Sequence, residues 1–453
     1  MHKLFFIVLM ISSVFSNDYI FSDNIRVTES INDQKFPEIA VDENTIHLTW
    51  VNIAGNNKNI MYSKSEDYGE VFSTPIQINY INNNIIAYSQ SGPKISIYDN
   101  NVYISYADDR NGSTSVYLNV SNDYGETWQE DFLISDTPYL NMYQDLKVDN
   151  QGNLHLVYYN YAANYHLDDV RYRFSESEDV EFNSSIILGV VTDNMEPCDC
   201  CQPDLEIDNN GDVYVAYRNN EQNIRDSYIA VKRYGNQDFT EYFQASNLQD
   251  FINFCPSSGP SLDIEDGEIA IAFTSYNNQN VYSSISDTEN MNFLNYATAN
   301  PGTSSFQNYP YILLDNDLHI VWVDLDGYDI FYGMIDSSAD GMINIQKINN
   351  DDSNLMQKDP IIYKTNDMLY SFWSDQRQGN YEIYFSKGIN EFIISGDVNQ
   401  DGIIDILDII LIINFILGQE SPDSAAGIAS DLNSDGIINI QDVILIINLI
   451  LDE

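Results

Sequence analysis

Phe36-Pro37-Glu38-Ile39-Ala40-Val41-Asp42, followed closely by Ile46-His47-Leu48-Thr49-Trp50, is the stretch on which the fold turns. The first string reads as a short strand opened by a proline. The second alternates apolar and polar side chains and ends on an aromatic, as a strand with one buried face does. The first string returns as Gly92-Pro93-Lys94-Ile95-Ser96-Ile97, Gln202-Pro203-Asp204-Leu205-Glu206-Ile207-Asp208, Gly259-Pro260-Ser261-Leu262-Asp263-Ile264, Tyr309-Pro310-Tyr311-Ile312-Leu313-Leu314-Asp315 and Asp359-Pro360-Ile361-Ile362-Tyr363. Gln144-Asp145-Leu146-Lys147-Val148-Asp149 is a member without proline. The opening positions 37, 93, 144, 203, 260, 310 and 360 lie 50 to 59 residues apart. A repeat of that length built from strands predicts a β-propeller.

The alternating second strand recurs too, as in Val102-Tyr103-Ile104-Ser105-Tyr106, Leu318-His319-Ile320-Val321-Trp322 and Leu369-Tyr370-Ser371-Phe372-Trp373. A third strand follows, such as Asn59-Ile60-Met61-Tyr62 or Glu382-Ile383-Tyr384-Phe385, and the seventh unit runs out after it. Ile25-Arg26-Val27-Thr28, which precedes the first unit, can supply the missing fourth strand and leave no open edge. Seven blades are expected, with six as the alternative. Two units carry Ser65-Glu66-Asp67-Tyr68-Gly69-Glu70-Val71-Phe72 and Ser121-Asn122-Asp123-Tyr124-Gly125-Glu126-Thr127-Trp128, and residues 175–182 are a degraded third copy. These strings resemble the Asp-box (BNR repeat) of sialidase-like propellers, and the resemblance covers most of residues 25–387. The fold class expected is therefore mainly β: a sialidase-like propeller followed by a small all-α domain. An Asp-box is structural: Asp caps the turn, Gly takes the positive φ and the aromatic packs beneath.

The resemblance does not extend to a working exo-sialidase. Such enzymes use three arginines, a Tyr–Glu pair and an Asp acid, with the first arginine in an Arg-Ile-Pro string. Here that string is Lys35-Phe36-Pro37. Arg110, Arg218, Arg225 and Arg377 fall where the loop between second and third strands is expected, on the face that the blade-entry loops share. Asp109, Asp324, Asp326 and Asp375 fall on the same kind of loop, and Asp226 adjoins Arg225. An Asp–Arg pair can brace a turn or contact substrate. Glycosidic cleavage would need two carboxyls across the scissile bond.

All four cysteines lie in two consecutive blade-entry loops, Cys198-Asp199-Cys200-Cys201 and Cys255. Three disulfide pairings are open. Cys198–Cys201 with Cys200–Cys255 has the least strained rings. A soft-metal site for copper or zinc and a redox role are the other readings.

The last sixty residues hold Asp397-Val398-Asn399-Gln400-Asp401-Gly402-Ile403-Ile404-Asp405-Ile406-Leu407-Asp408 and Asp431-Leu432-Asn433-Ser434-Asp435-Gly436-Ile437-Ile438-Asn439-Ile440-Gln441-Asp442. Oxygen ligands at loop positions 1, 3, 5, 9 and 12, with a backbone carbonyl (Ile403, Ile437) at 7 and Gly at 6, suit calcium. The ligand sets are Asp397, Asn399, Asp401, Ile403, Asp405 and Asp408, and Asp431, Asn433, Asp435, Ile437, Asn439 and Asp442. Each EF-hand-like loop runs into an apolar helix, and no helix precedes the first. Loop–helix repeated twice resembles a type I dockerin over residues 396–453. That resemblance implies two calcium ions and a cohesin partner, chosen in part by loop positions 10 and 11: Ile406, Leu407, Ile440 and Gln441.

Residues 1–16 read as a secretory signal peptide, too short to span a bilayer. The remaining divisions are a propeller at 17–390, a linker at 391–395 and the dockerin. Sixty-nine acidic residues against 19 basic ones give a net charge of −50, which repels nucleic acid and anionic lipid. No later segment reads as a membrane span. The expectation is a secreted, extracellular propeller, docked to a scaffold or cell surface, that degrades a polysaccharide as a hydrolase or lyase. The alternative is a non-catalytic propeller that binds a glycan or protein.

Overall fold

Why a chain with this repeat closes into a ring is visible in its seventh sheet. The computed structural model describes residues 19–452 apart from 83, 137–139, 163–166, 177–179, 189–196, 300–303, 336–340, 352, 366–367, 391–394, 400–402, 420, 423 and 434–436. Residues 1–16 and most of the expected linker lie outside the described residues. Two compact units result, Phe21–Ile389 and a second that contains the chain from Asn390 onward.

The first unit is a seven-bladed propeller of antiparallel sheets. Blade 1 runs outward as Asp33–Asp42, Thr45–Ala54, Asn57–Ser65 and Ile76–Gln77. The inner strands of blades 2 to 7 are Lys94–Tyr98, Leu140–Val148, Asp204–Ile207, Ser261–Glu265, Gln307–Asp315 and Gln357–Thr365. They neighbour one another round the whole ring, blade 7 against blade 1. The seventh blade has three strands of its own, ending in Glu382–Asn390, and Ile25–Arg26 pairs with that last strand. Glu382, fully buried, holds the graft: it accepts from Thr28 Oγ1 at 2.5 Å, Ser30 N at 2.8 Å and Arg26 Nη2 at 3.0 Å.

The two Ser-x-Asp-x-Gly strings fold alike. Ser65 Oγ accepts from Gly69 N and Asp67 Oδ1 from Val71 N, both at 2.9 Å. Ser121 and Asp123 repeat this with Gly125 N and Thr127 N. The aromatic that follows reaches back to the preceding blade: Phe72 packs on Phe372 and Phe385, Trp128 on Tyr62. Gly125, at φ 82°, admits no side chain, because a Cβ there would stand 1.9 Å from the Tyr62 hydroxyl. Part of the third copy, 177–179, lies outside the described residues.

The axis is polar. The residue after each opening position is Glu38, Lys94, Asp145, Asp204, Ser261, Tyr311 or Ile361, and two residues further on stand Ala40, Ser96, Lys147, Glu206, Asp263, Leu313 and Tyr363. In the first ring Lys94 pairs with Glu38 at 3.0 Å and Tyr311 donates to Glu38 at 3.3 Å. In the second, Lys147 pairs with Glu206 at 2.5 Å. Three carboxylates also bond the next blade: Asp145 accepts from Leu205 N, Asp204 from Leu262 N and Asp263 from Leu314 N, at 2.6–2.9 Å. Satisfied buried carboxylates thus tie blades 3 to 6 together, where an apolar plug could not satisfy these backbone groups.

Burial raises Glu206 to about 7, against the pull of Lys147, and Asp263 to about 6. A carboxyl raised on folding holds its proton longer in the folded state, so its contribution falls as pH rises from the unfolded to the folded value. Buried His47 and His319, lowered by desolvation to about 4 and 3, act in the opposite sense between there and 6.5. The clean measurement is therefore a difference. Thermal unfolding of wild type against Glu206→Gln is expected to show wild type losing several degrees relative to the variant between pH 4.5 and 7. A constant offset across that range would refute the assignment.

Candidate functional site

The strand order places the blade-entry loops and the loops between second and third strands at one end of the ring. The residue just before each opening position forms the floor of that funnel: Phe36, Gly92, Tyr143, Gln202, Gly259, Tyr309 and Asp359. Phe36, Tyr143, Tyr309 and Asp359 take left-handed backbones, φ 55–60°, at bulges in the inner strand. Left-handed non-glycine residues cost energy and cluster at functional sites. The ring is tight: a Cβ on Gly259 would lie 2.1 Å from the Gln202 carbonyl oxygen. All of these except Tyr143 line a small axial cavity of about 60 Å³.

Asp359 is the one charged member of the floor. It is 7% exposed, and neither carboxylate oxygen has a hydrogen-bond partner of good geometry among the described residues. Burial raises its pKa, against opposing pulls from Lys358, Ser89, Lys35 and Ser374. Tyr381, raised by burial and then by Asp359 to about 12, and Tyr309, raised by the same two causes, flank it. The arrangement sets a carboxyl whose proton burial favours beside two phenols in a concave floor.

Cations gather on the same side. Lys35 Nζ lies 4.0 Å and Lys358 Nζ 5.2 Å from the centre of the Tyr381 ring. Lys35 pairs with Asp33 at 3.1 Å. Neither Lys358 nor Lys58 makes an ion pair among the described residues; Lys58 donates to the Ala87 carbonyl at 3.1 Å and lies 5.6 Å from the centre of the Tyr88 ring. Burial, then Lys35, lowers the Lys58 pKa. Sequence reasoning missed this floor. Its signal was the residue preceding each opening proline, which carries no motif of its own.

The arginines sought from sequence are engaged elsewhere. Arg110 binds Asp108 through Nε and Asp131 through Nη1, at 2.9 and 2.5 Å, and lies over Tyr117. Arg377 binds Asp375 at 2.7 Å and lies over Tyr384, and Asp375 also accepts from Trp373 Nε1. Both pairs brace their turns. Asp324 is buried and caps its own loop through Asp326 N, while Asp109 and Asp326 are exposed. Arg218, 1% exposed, donates to the carbonyls of Ser258, Thr274 and Arg225 and lies 3.7 Å from Asp250. Asp226 accepts from Leu248 N and Gln249 N, and burial raises its pKa.

Cys200 and Cys255 are joined by a disulfide, tying the entry loop of blade 4 to that of blade 5. Cys198 and Cys201 are free and fully buried, their sulfurs 3.1 Å apart. The Cys201 thiol, then Arg225, the Cys200 backbone N–H and Arg218 hold Cys198 down to about 6 against burial, and Arg225 Nη1 lies 2.8 Å from its sulfur. Burial pushes Cys201 up. Copper or zinc held by four thiolates does not fit this arrangement, because two of the four sulfurs are bonded to each other.

In the second unit, helices Ile406–Ile416 and Ile440–Asp452 follow the two loops, with a short helix Ser424–Ser430 between them that the sequence reading lacked. Val398, Ile409, Ile412, Ala426, Ala429, Val443 and Ile446 form its core. Loop position 12 works the same way twice. Asp408 Oδ1 accepts from Val398 N and Asn399 N, and Oδ2 from Asp405 N. Asp442 accepts from Asn433 N and Asn439 N. Both carboxylates are fully buried, and residues 390–453 contain no Lys, Arg or His. No side-chain cation in the segment can balance them, and the donors are all oxygen, so the loops fit a hard divalent cation. Asp401, Gly402, Asp435 and Gly436 lie outside the described residues. Asp397 is buried and Asp405 caps the first helix through Leu407 N. A family model described as dockerin type I domain matches residues 395–451.

Residues 395–451 are a type I dockerin domain. Domains of this family bind calcium and a cohesin. In this dockerin Ile406, Leu407 and Ile440 are 61%, 51% and 64% exposed, and Gln441 is exposed beside them. Among the described residues no helix is long and apolar enough to cross a membrane. Over 80% of its length the chain is similar in fold to 94% of a PL25 ulvan lyase bound to -[GlcA(1-4)Rha3S]-, with TM-score 0.56 and 9% identity. It is likewise similar to the polysaccharide lyase Uly1, with TM-score 0.51 and 10% identity over 83% and 98%. A Trypanosoma rangeli sialidase in complex with the inhibitor DANA matches at TM-score 0.46 and 11% identity, over 82% and 59%. At these identities the likeness is one of fold. No curated protein is similar in sequence.

Scanning calorimetry of the intact chain is expected to show two transitions. A calcium chelator should abolish or sharply lower that of the dockerin and leave that of the propeller in place. A single chelator-insensitive transition would break the calcium assignment.

Proposed function

We propose that this protein is an exported enzyme that cleaves an anionic polysaccharide in the propeller funnel, tethered by its dockerin to a cohesin-bearing scaffold or cell surface. In this reading residues 1–16 direct export, 17–390 are the propeller, 391–395 the linker and 396–453 the dockerin. The dockerin holds two calcium ions, on Asp397, Asn399, Asp401, Ile403, Asp405 and Asp408, and on Asp431, Asn433, Asp435, Ile437, Asn439 and Asp442. Ile406, Leu407, Ile440 and Gln441 face the cohesin.

The observation that carries the enzymatic reading is Asp359: a buried, strained carboxyl without good hydrogen bonds on the funnel floor. Burial favours its protonated form, and in that form it donates to the oxygen of the departing sugar. Lys358, Lys58 and Lys35 take the negative group of the sugar, and Tyr309 and Tyr381 fix the ring. Arg110 and Arg377 stay structural, since their guanidiniums are spent on Asp108, Asp131 and Asp375. Two solved structures of similar fold, the polysaccharide lyase Uly1 and a PL25 ulvan lyase bound to -[GlcA(1-4)Rha3S]-, support this substrate class by analogy of fold. The second reading, a binding propeller without turnover, keeps the same lysines and drops the role of Asp359.

A screen of neutral, uronate and sulfated polysaccharides separates the two. Turnover of an anionic polymer is expected, with Asp359→Asn abolishing it and leaving binding intact. Lys358→Met should weaken binding of anionic glycans about tenfold, the scale of one charged hydrogen bond, and leave neutral ones unchanged. Selective binding with no turnover of any polymer would leave only the adhesion reading.

A further inference from the structure

The glycan-binding floor makes no use of the cysteines, yet their geometry is that of a reaction. Cys198 Sγ stands 3.7 Å from Cys200 Sγ, one half of the disulfide, and 3.1 Å from Cys201 Sγ. Three donors converge on Cys198 and favour its thiolate: Arg225 Nη1, the Cys200 backbone N–H and the Cys201 thiol. The departing sulfur is provided for as well. Cys255 is exposed, and Ser257 Oγ lies 3.2 Å from its Sγ. Ser257 has a left-handed backbone, φ 51°, in a non-glycine residue.

We propose that the four cysteines form a thiol–disulfide exchange relay that moves one disulfide between Cys200–Cys255 and Cys198–Cys201 and so couples and uncouples the entry loops of blades 4 and 5. In the first step the Cys198 thiolate attacks Cys200 Sγ. The Cys198–Cys200 bond forms, the Cys200–Cys255 bond breaks, and the electron pair leaves on Cys255, where the Ser257 hydroxyl donates to it. In the second step Cys201 gives up its proton as it attacks Cys198 Sγ: the Cys198–Cys201 bond forms, the Cys198–Cys200 bond breaks, and the departing Cys200 thiolate takes that proton. One disulfide and two thiol groups stand on each side, so no outside oxidant or reductant enters. Attack by a thiolate on a neighbouring disulfide sulfur is the ordinary route of such exchange.

The consequence is local. Before exchange the loop around Cys255 is covalently pinned to the blade 4 entry. After it, that loop is held by Arg225 Nε to the Ile252 carbonyl and by the Tyr276 hydroxyl to the Pro256 carbonyl. Phe251 and Phe254, both more than half exposed, ride on the released segment. Exchange also delivers an accessible thiol, Cys255, to the surface, where small thiols or disulfides can reach it.

The test uses the full chain with calcium, purified under argon with one disulfide per molecule. The folded protein is alkylated with a maleimide and then mapped by mass spectrometry. In wild type, alkylation of Cys255 together with a Cys198–Cys201 linkage is expected. In Cys201→Ser the relay stops halfway, giving a Cys198–Cys200 linkage and labelled Cys255. In Cys198→Ser labelling of Cys255 is lost and Cys200–Cys255 persists. Circular dichroism confirms that each variant is folded. Equal labelling of Cys255 in wild type and Cys198→Ser, or Cys200–Cys255 as the sole linkage in both wild type and Cys201→Ser, would overturn the relay. Because this test reads linkages alone, its failure leaves the glycan reading untouched, and the polysaccharide screen leaves the relay untouched.

Discussion

Seven twisted sheets arranged about one axis leave each inner strand facing two neighbours and a narrow channel, and the whole molecule follows from how that channel is filled. A purely apolar axis would strand backbone N–H groups at the seams between blades. Here Asp145, Asp204 and Asp263 each accept the N–H of the following blade, and Lys94 and Lys147 offset part of the charge through Glu38 and Glu206. Buried charge is costly unless paired and hydrogen-bonded. Glu38 and Glu206 are paired with lysines, Asp145, Asp204 and Asp263 are hydrogen-bonded to backbone, and the protons favoured by burial at Glu206 and Asp263 remove more of the excess. The ring is closed at its outer edge by the same principle, with buried Glu382 gathering Arg26, Thr28 and Ser30 from the opposite end of the chain.

A rigid axis lets the funnel floor hold unfavourable geometry. Phe36, Tyr143, Tyr309 and Asp359 keep left-handed backbones because the inner strands on either side fix them. Asp359 is kept from water by that rigidity, with no hydrogen bond of good geometry to its carboxylate among the described residues. Lys358 stays unpaired nearby for the same reason, since the fold leaves no carboxylate within ion-pair reach among the described residues. The dockerin, by contrast, has a small core and no side-chain cation, and its buried Asp408 and Asp442 accept from backbone N–H groups of their loops in a donor set that fits a divalent cation. One unit is organised by internal ion pairs, the other around two oxygen-lined loops.

The arginines show how far a sequence motif reaches. The Asp–Arg strings around residues 108–110 and 375–377 could be read as turn braces or as substrate contacts, and the distances put their guanidiniums on their own turns. Arg218 and Arg225 follow the Cys198–Cys201 loop within one blade, and the structure brings Arg225 onto Cys198 itself. Loop order fixes neighbourhood. It does not fix where a long side chain spends its hydrogen bonds.

The sequence by itself determined the strand repeat, a ring of seven or six blades, the N-terminal strand that closes it and the two loop–helix units of the dockerin. These depend on local alternation, on turn residues such as Gly69 and Gly125, and on spacing, all of which are written residue by residue. Tertiary structure alone decided the charged rings at the axis, the floor with Asp359 at its centre, the lysines beside Tyr381, and which cysteines bond. Each of those joins residues from blades far apart in the chain, and the ion pairs, close contacts and buried charges that define them exist only once the ring has closed.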